Sequence, residues 1–519
     1  MKTFLLSAFP LFTVLLSAFA APPHIVIILA DDMGYGDPHC FNPQSKIATP
    51  HIDRLAREGM KFTDAHAPGP LCHPSRCGLI TGRYPFRTDI TKWPTQPLIR
   101  EGEVTIATLL KSQGYQTAMI EKWHLGFEEK GYDKPLSGGP VDHGFDTFFG
   151  TRASTDIPPY FWIQGKRAVK QPTGQIAAAQ SKGWSPIKGD YRREGGIAPD
   201  YEHPEVLPRL TSEAIKSVRS HKGKAQALLL YLALTAPHTP WMPAPEFTGK
   251  SGAGQYGDFA QTVNAEIGRV LTALEEAGMA ENTLLIFASD NGPVWHPADV
   301  QGLGPDSAGG LRGMKSDAWE GGHRMPFIAR WPGKIKAGAV SDETMCHVDF
   351  MATVAALLGA KLPDHAAEDS VNVLPVLLGD ALAAPAREAT VHHSASGKFA
   401  IRQGDWVLID APTGDDNRAE GGPPWLKADR TYTSHDHPGE LYNLREDPAE
   451  RHNRFAEKPD IVRELKALLE RYQREGRSTP GPPQKNDVAL AAPPRAPAPK
   501  SPNTLKPAPG NSPNPNQPR

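Results

Sequence analysis

The amino-acid sequence predicts an α/β fold in which a large, mostly parallel central sheet is flanked by helices and followed by a smaller C-terminal α+β domain. Three observations predict it. Runs that are apolar throughout recur at His24 to Leu29, Tyr115 to Ile120, Leu228 to Leu234, Leu284 to Phe287 and Gly321 to Ile328. Continuous runs of this length read as strands buried on both faces, as in a parallel sheet. Amphipathic helical stretches alternate with them from residue 23 to about 375, which is the pattern of βαβ units. Four of the runs end in residues that bind metals, anions or protons: Asp31-Asp32, Lys122-Trp123-His124, Pro237-His238 and Asp290-Asn291; the fifth follows the segment carrying Lys315. Functional groups of such sheets gather where strands emerge at their carboxyl ends. The pattern therefore points to a hydrolytic site at one edge of the sheet.

Taken in order, the chain opens with a processing signal. Lys2 supplies the charged start, Phe4 to Leu16 the apolar stretch and Ala18-Phe19-Ala20 an A-x-A cleavage site. The stretch is short for a membrane-spanning helix, so residues 1–20 are expected to be a signal peptide and the mature chain an exported, periplasmic or secreted protein without a transmembrane segment. The catalytic domain is expected over 21–375. Thr49 caps a helix with Pro50 in its first turn, Ile52, Leu55 and Ala56 on its inner face and Gly59 at its end. Further helices are expected over about 103–113, from Asp258 to Gly278, and over about 347–358. From 376 to 476 the texture changes to short strands, such as Phe399 to Ile401 and Asp405 to Ile409, and a final helix over about 459–473. Residues 477–519 read as a disordered Pro-rich tail, since 13 of 52 prolines and no aromatic residue lie from Pro480 onward.

The formal net charge of −2 excludes a global basic field, so nucleic acid is not an expected partner. Cys40, Cys72, Cys77 and Cys346 are too few in 519 residues for a disulfide scaffold. With Cys72 committed to chemistry, at most one bridge forms among the rest, and its connectivity cannot be read.

Asp31 and Asp32 are adjacent carboxylates after a buried strand, and side by side they repel unless a counter-charge is present. Asp31-Asp32 could be a helix cap with a solvated neighbour. Asp290-Asn291-Gly292 repeats the arrangement after a second strand, and three carboxylates with one amide oxygen form a hard-oxygen set suited to Ca²⁺ or Mg²⁺. Cys72-His73-Pro74-Ser75-Arg76 suggests a helix starting near Pro74 whose N-terminus and Arg76 lower the Cys72 thiol pKa. An isolated cysteine is otherwise a structural or disulfide residue.

Cys72 to Arg76 with Leu79-Ile80-Thr81-Gly82-Arg83 resembles the signature of the type I sulfatases in the alkaline-phosphatase-like superfamily. The resemblance extends over most of the chain, through Ile27 to Gly36, Thr49 to Gly59, Lys122 to Gly126, Ser289 to Gly292, Trp319 to Gly322 and Glu440 to Leu444, in the family's order. It implies that Cys72 is oxidised by a formylglycine-generating maturation enzyme to Cα-formylglycine (3-oxoalanine), whose hydrate is the nucleophile. It also implies Ca²⁺ on Asp31, Asp32, Asp290, Asn291 and the Cys72-derived hydroxyl. Lys122 and Lys315 then hold sulfate oxygens, Arg76 orients the nucleophile, His238 protonates the leaving alcohol and His124 triggers sulfate release. His296, His323 and Arg324 are further candidate substrate contacts. The chain departs from the pattern at Glu121 and Ser316, where the family usually has glycine, while His73 fills a variable position. Gly139 to Asp146 and Asp156 to Trp162 resemble sulfatases of sulfated sugars, so an exo-acting carbohydrate sulfatase is expected, with aryl sulfates as the other substrate class. Two other functions compete: a phosphonate or phosphate monoester hydrolase on the same fold, and a non-catalytic sulfated-glycan binder in which Cys72 is not matured.

Overall fold

The computed structural model describes residues 21–490 except 94–95, 181–188, 305 and 418–434. The expected signal peptide lies outside the described residues. Strands β1 (His24–Ala30), β2 (Met60–Phe62), β3 (Ala65–His66), β4 (Gln116–Lys122), β5 (Thr147–Thr151), β6 (Ile163–Gln164), β7 (Arg167–Ala168), β8 (Leu228–Ala233), β9 (Thr283–Ser289), β10 (Phe327–Arg330) and β11 (Ala339–Ser341) carry the first domain. All but β3 form one ten-stranded sheet in the order β11-β2-β10-β9-β1-β8-β4-β5-β6-β7. The five central strands, β9 to β5, run parallel. β8 and β9 are buried at every position, as runs covered on both faces require.

One expected strand differs. Gly321 to Ile328 divides into a helical turn, Glu320–His323, and β10, which is antiparallel to β9. Gly321 and Gly322 explain the division. A side chain at either would strike backbone carbonyls of Arg312, Gly313 or Asp317, so that stretch packs as a turn against its own loop.

Helix α1 (Pro50–Glu58) buries Ile52, Leu55 and Ala56 as its spacing predicts. The Thr49 side chain does not cap it, since its hydroxyl donates to Asp53 and accepts from His39 N. Asn264 Oδ1 instead accepts from both His51 N and Ile52 N, at 3.0 and 3.1 Å, from inside another helix, Gly254–Glu276. That longer helix begins a turn earlier than Asp258, whose carboxylate binds the N–H groups of Gly249, Lys250 and Ser251.

The C-terminal strands β12 (Thr390–His393), β13 (Phe399–Gln403), β14 (Trp406–Ile409) and β15 (Glu440–Asn443) form an antiparallel sheet. Helix Pro459–Glu475 covers it with Leu465, Leu469 and Tyr472. This sheet shares its core with the first domain, because Tyr84, Phe86 and Val348 pack with Val391, Ile401 and Leu408. Residues 477–490 depart from the expected tail. Asp487 pairs with Arg83, and Asn486 accepts from Arg87, both buried arginines whose charge needs partners. The remainder of that tail lies outside the described residues. The four cysteines are free thiols, and none is bridged to another. Among the described residues no helix is long and apolar enough to cross a membrane.

The Asn264 contact gives a test of this packing. Asn264→Ala leaves two buried helix N–H groups unpaired and is expected to lower stability by about 1–2 kcal/mol in denaturant unfolding, with unchanged m-value.

Candidate active site

β1 occupies the middle of the sheet between β8 and β9, and the register brings Ala30 beside Ser289 and Leu29 beside Ala233. Asp31 N donates to Ala236 O at 3.1 Å and Asp290 N to Ala30 O at 3.0 Å, so both aspartates leave the sheet at the same height. β4 ends on Lys122, one residue past the Ala233–Glu121 pairing. Helix Cys72–Thr81 begins at Cys72 rather than near Pro74, with Leu71 extended before it. Proline tolerates a first-turn position because its missing N–H would have had no helical partner.

These ends converge. Cys72 Sγ lies 3.3 Å from Asp31 Oδ1 and 4.0 Å from Asp32 Oδ1, and Lys315 Nζ lies 3.2 Å from the same sulfur. Lys122 Nζ pairs with Asp31 Oδ2 at 2.5 Å and Lys315 Nζ with Asp32 Oδ1 at 2.7 Å. Arg76 donates through Nε and Nη2 to Asp290 Oδ2, each at 2.8 Å, and through Nη2 to Leu234 O. Arg76 thus holds Asp290 and the end of β8, and touches the nucleophile's position only through field. Asn291 Nδ2 donates to Asp32 Oδ1 at 2.7 Å, while the buried Asn291 Oδ1 has no hydrogen-bond partner. His238 Nε2 is 3.7 Å from Asp32 Oδ2, and its Nδ1 bonds Thr239 O at 2.8 Å. His124 packs against Trp93, with ring centroids 4.5 Å apart, and reaches Ser154 Oγ at 3.3 Å.

Burial pushes the Asp31 and Asp290 carboxyl groups upward, and the neighbouring charges decide the outcome for each. Burial pushes Asp31 upward, but Lys122, His238 and Arg76 hold it below the usual carboxylate range. Asp290 is pushed up to about 6 by burial and by Asp31, against the pull of Arg76. The Cys72 thiol reverses the expectation of a lowered pKa. Burial, Asp290 and Asp31 raise it well above its usual value, outweighing Lys122 and Lys315. The helix N-terminus and Arg76 do not make a thiolate here, because Arg76 is spent on Asp290. Burial holds His124 well below its usual value, so its imidazole is neutral.

Three carboxylates and an amide oxygen without a partner are hard-oxygen donors that suit a divalent ion, which would take the place of the lysine contacts on Asp31 and Asp32. Asp31, Asp32, Asp290 and Asn291 would hold it.

Above this floor opens a cavity of about 340 Å³ lined by Asp32, His238, Lys315, Asp156, Trp241 and Asn417, among others. Sequence reasoning missed Trp241 and Asn417 as site residues. The aromatic ring three residues beyond His238 was a signal for the first, whereas Asn417 lies far along the chain and donates to Lys315 O only through folding. The candidate contacts His296, His323 and Arg324 do not line the cavity. His296 precedes a short helix, donating its N–H to Asp299. His323 is buried and Arg324 half-buried among Asp64, His66 and Glu320, where opposite charge draws Arg324 inward.

A buried cysteine, a hard-oxygen floor and paired cations at the carboxyl edge of an α/β sheet are the make-up of a hydrolase of tetrahedral oxyanion esters. A Sulfatase family model matches residues 23–360. The chain is 34% identical over 486 residues to an N-acetylgalactosamine-6-O-sulfatase of Bacteroides thetaiotaomicron, covering 86% of this chain and 92% of that protein. It is 33% identical over 484 residues to human arylsulfatase A, covering 90% and 91%. A solved structure from work on glycosaminoglycan metabolism in the same Bacteroides superposes with a TM-score of 0.75 at 32% identity, covering 87% of this chain and 99% of the other. The chain belongs to the sulfatase family and is a sulfuric ester hydrolase.

The two departures from the family's glycines become intelligible in the fold. Glu121 has φ 96° and Ser316 φ 81°, a region open to glycine and strained for other residues. Glu121 is fully buried, accepts a hydrogen bond from Thr235 N and leaves its second oxygen without a partner. Burial raises its pKa to about 8. The folded chain therefore keeps a proton on Glu121 between 4.5 and 8 that the unfolded chain releases, and stability falls as pH rises through that window. Glu121→Gln keeps the acceptor and removes the titration. Its stability should exceed that of the wild type near pH 8, by an advantage that shrinks by about 1.4 kcal/mol per pH unit as the pH falls and is gone near pH 4.5. Parallel melting curves across that range check the sign.

Proposed function

We propose that this sulfatase hydrolyses sulfate monoesters of sulfated carbohydrates, acting from the chain end, with Cys72 matured to formylglycine and a Ca²⁺ ion (Mg²⁺ being the other candidate) on Asp31, Asp32, Asp290 and Asn291. The observation that carries this reading is the meeting of Cys72, Asp31, Asp32 and Lys315 within 4.0 Å at the floor of the cavity. Bound there, the ion supplies positive charge that draws a sulfate oxygen and offsets charge passing to the leaving oxygen. The hydrated aldehyde of residue 72 supplies a hydroxyl nucleophile that can expel sulfate by collapsing back to the aldehyde.

The chain's own groups do the rest. Lys122 and Lys315 flank the position of the sulfate and bind its oxygens as point charges. Arg76 fixes Asp290 so that its carboxylate faces the nucleophile and can accept a proton. His238 stands at the mouth of the floor and donates a proton to the leaving alcohol. His124, neutral through burial, takes the proton that starts release of sulfate from residue 72. Trp241 and Tyr191 line the cavity and offer aromatic faces to a sugar ring. The names of the Bacteroides relative and of its solved neighbour support amino-sugar or glycosaminoglycan sulfates as the class. The leader read over residues 1–20 supports export to the periplasm or beyond, and maturation requires a formylglycine-generating enzyme in the producing cell.

A panel of sulfated mono- and disaccharides, an aryl sulfate and an aryl phosphonate tests the reading. Turnover of a terminal sugar sulfate above the phosphonate is expected, with a Cys72 peptide lighter than its thiol form. Faster phosphonate turnover sinks the substrate assignment, and an unmodified Cys72 in active enzyme sinks the nucleophile. His238→Gln should lower kcat on sugar sulfates by about 10²–10⁴ while sparing aryl sulfates with good leaving groups. Equal losses on both would remove His238 from the proton-donor role.

A further inference from the structure

Away from the cavity, His66 on β3, His323 at the end of the Glu320–His323 turn and His392 on β12 are each fully buried. Each offers a ring nitrogen within 4.8 Å of the other two. Their outer nitrogens are all engaged. His66 Nε2 lies 2.9 Å from Asp64 Oδ1 and 3.1 Å from Arg402 Nη1, His323 Nε2 lies 3.3 Å from Ala318 O, and His392 Nδ1 lies 2.9 Å from Ala67 O. A carbonyl oxygen only accepts, so His323 Nε2 and His392 Nδ1 carry the protons, and their other nitrogens present bare lone pairs. One of these, His392 Nε2, is buried with no hydrogen-bond partner. The other, His323 Nδ1, faces His66 Nδ1 at 3.1 Å.

From this geometry we propose that His66, His323 and His392 form a second metal site, selective for a borderline dication such as Zn²⁺ and separate from the hard-oxygen site. Three imidazoles suit zinc, whereas calcium requires oxygen donors. Carbonyl partners on the outer nitrogens of His323 and His392 are the arrangement that orients ligating histidines and fixes their tautomers, and Asp64 is the acceptor that holds His66 in the matching form when the ion binds. Burial holds His323 and His392 well below the usual imidazole range, so both are in the neutral, ligating form. Asp64 and Glu320 bring carboxylate oxygens within 4.8 Å of the same His66 ring and offset the nearby Arg324 and Arg402. His323 and His392 stack face to face, centroids 3.7 Å and planes 7° apart. A shared ion would lie off both planes, so loading tilts one ring. His392 is the one free to tilt, since its ring is tied only through Ala67 O. The ion would clamp β3 to two segments that each lie more than two hundred residues further along the chain, joining the C-terminal sheet to the turn that follows Lys315.

The test is elemental analysis of the full-length enzyme, dialysed with excess Ca²⁺ after exposure to Zn²⁺, beside His392→Gln. About one zinc per chain in the wild type, absent from the variant, is expected, with a lower melting temperature after a zinc-selective chelator. Equal zinc in both proteins overturns the site, because the ion then sits elsewhere, as does no zinc in the wild type. Should the variant fail to fold, Co²⁺ titration of the wild type decides. A visible spectrum without a thiolate charge-transfer band supports the histidines. No spectrum, or a thiolate band from Cys72, refutes them.

Discussion

Asp31, Asp32 and Asp290 are three carboxylates crowded at the end of one sheet and almost wholly removed from water. Without partners this arrangement would cost several kcal/mol per charge, and the groups would protonate instead. Lys122 on Asp31, Lys315 on Asp32, and Arg76 on Asp290 and, at 3.7 Å, on Asp31 meet that demand. The neighbourhood therefore balances charge within a few ångströms, and every element delivering one of these six residues is fixed relative to the others. On the proposed reading, a sulfate monoester entering such a site would meet cations that are already desolvated and positioned, which is where electrostatic preorganisation contributes most to catalysis.

The backbone around these charges is strained in a pattern that follows the chemistry. Asp32, Glu121, His124 and Ser316 all have positive φ without being glycine, and all four lie at or beside the site. Neighbours enforce this. A side chain at Gly150 would meet Glu121 O at 1.8 Å, so β5 can run alongside the end of β4 only because residue 150 has none. Conformations of this kind persist when surrounding packing over-determines them. Here the parallel register of β4, β8, β1 and β9 does so.

The C-terminal sheet braces the loop that carries Lys315. Trp319 is buried with Ala400, Val407, Ile409 and Tyr442, its indole N–H donates to Glu440 at 2.8 Å, and Arg312 stacks on its ring. Lys315 lies between those two anchors, which explains how a lysine on an irregular segment holds a defined position against Asp32. The small domain thus serves the chemistry by fixing one cation.

The sequence alone determined the strands and the identity of the charged groups, because apolar runs, their terminal Asp, Lys and His residues and the Cys72 to Arg83 segment are local patterns. Helix α1 was legible to the residue in its buried face for the same reason. Its cap was not, since Asn264 comes from a helix more than two hundred positions away. The thiol's raised pKa, the division of Gly321 to Ile328 and the inward burial of His323 and Arg324 also escaped local reading. Each depends on which partner a side chain meets: Arg76 could have faced Cys72 or Asp290, and only the register of β9 against β1 gives it to Asp290. Which groups can react is written in the order of residues. Which of them share a charge, a cavity or a proton is decided by long-range packing, because electrostatic energy in a dry interior depends on distances that sequence separation does not fix.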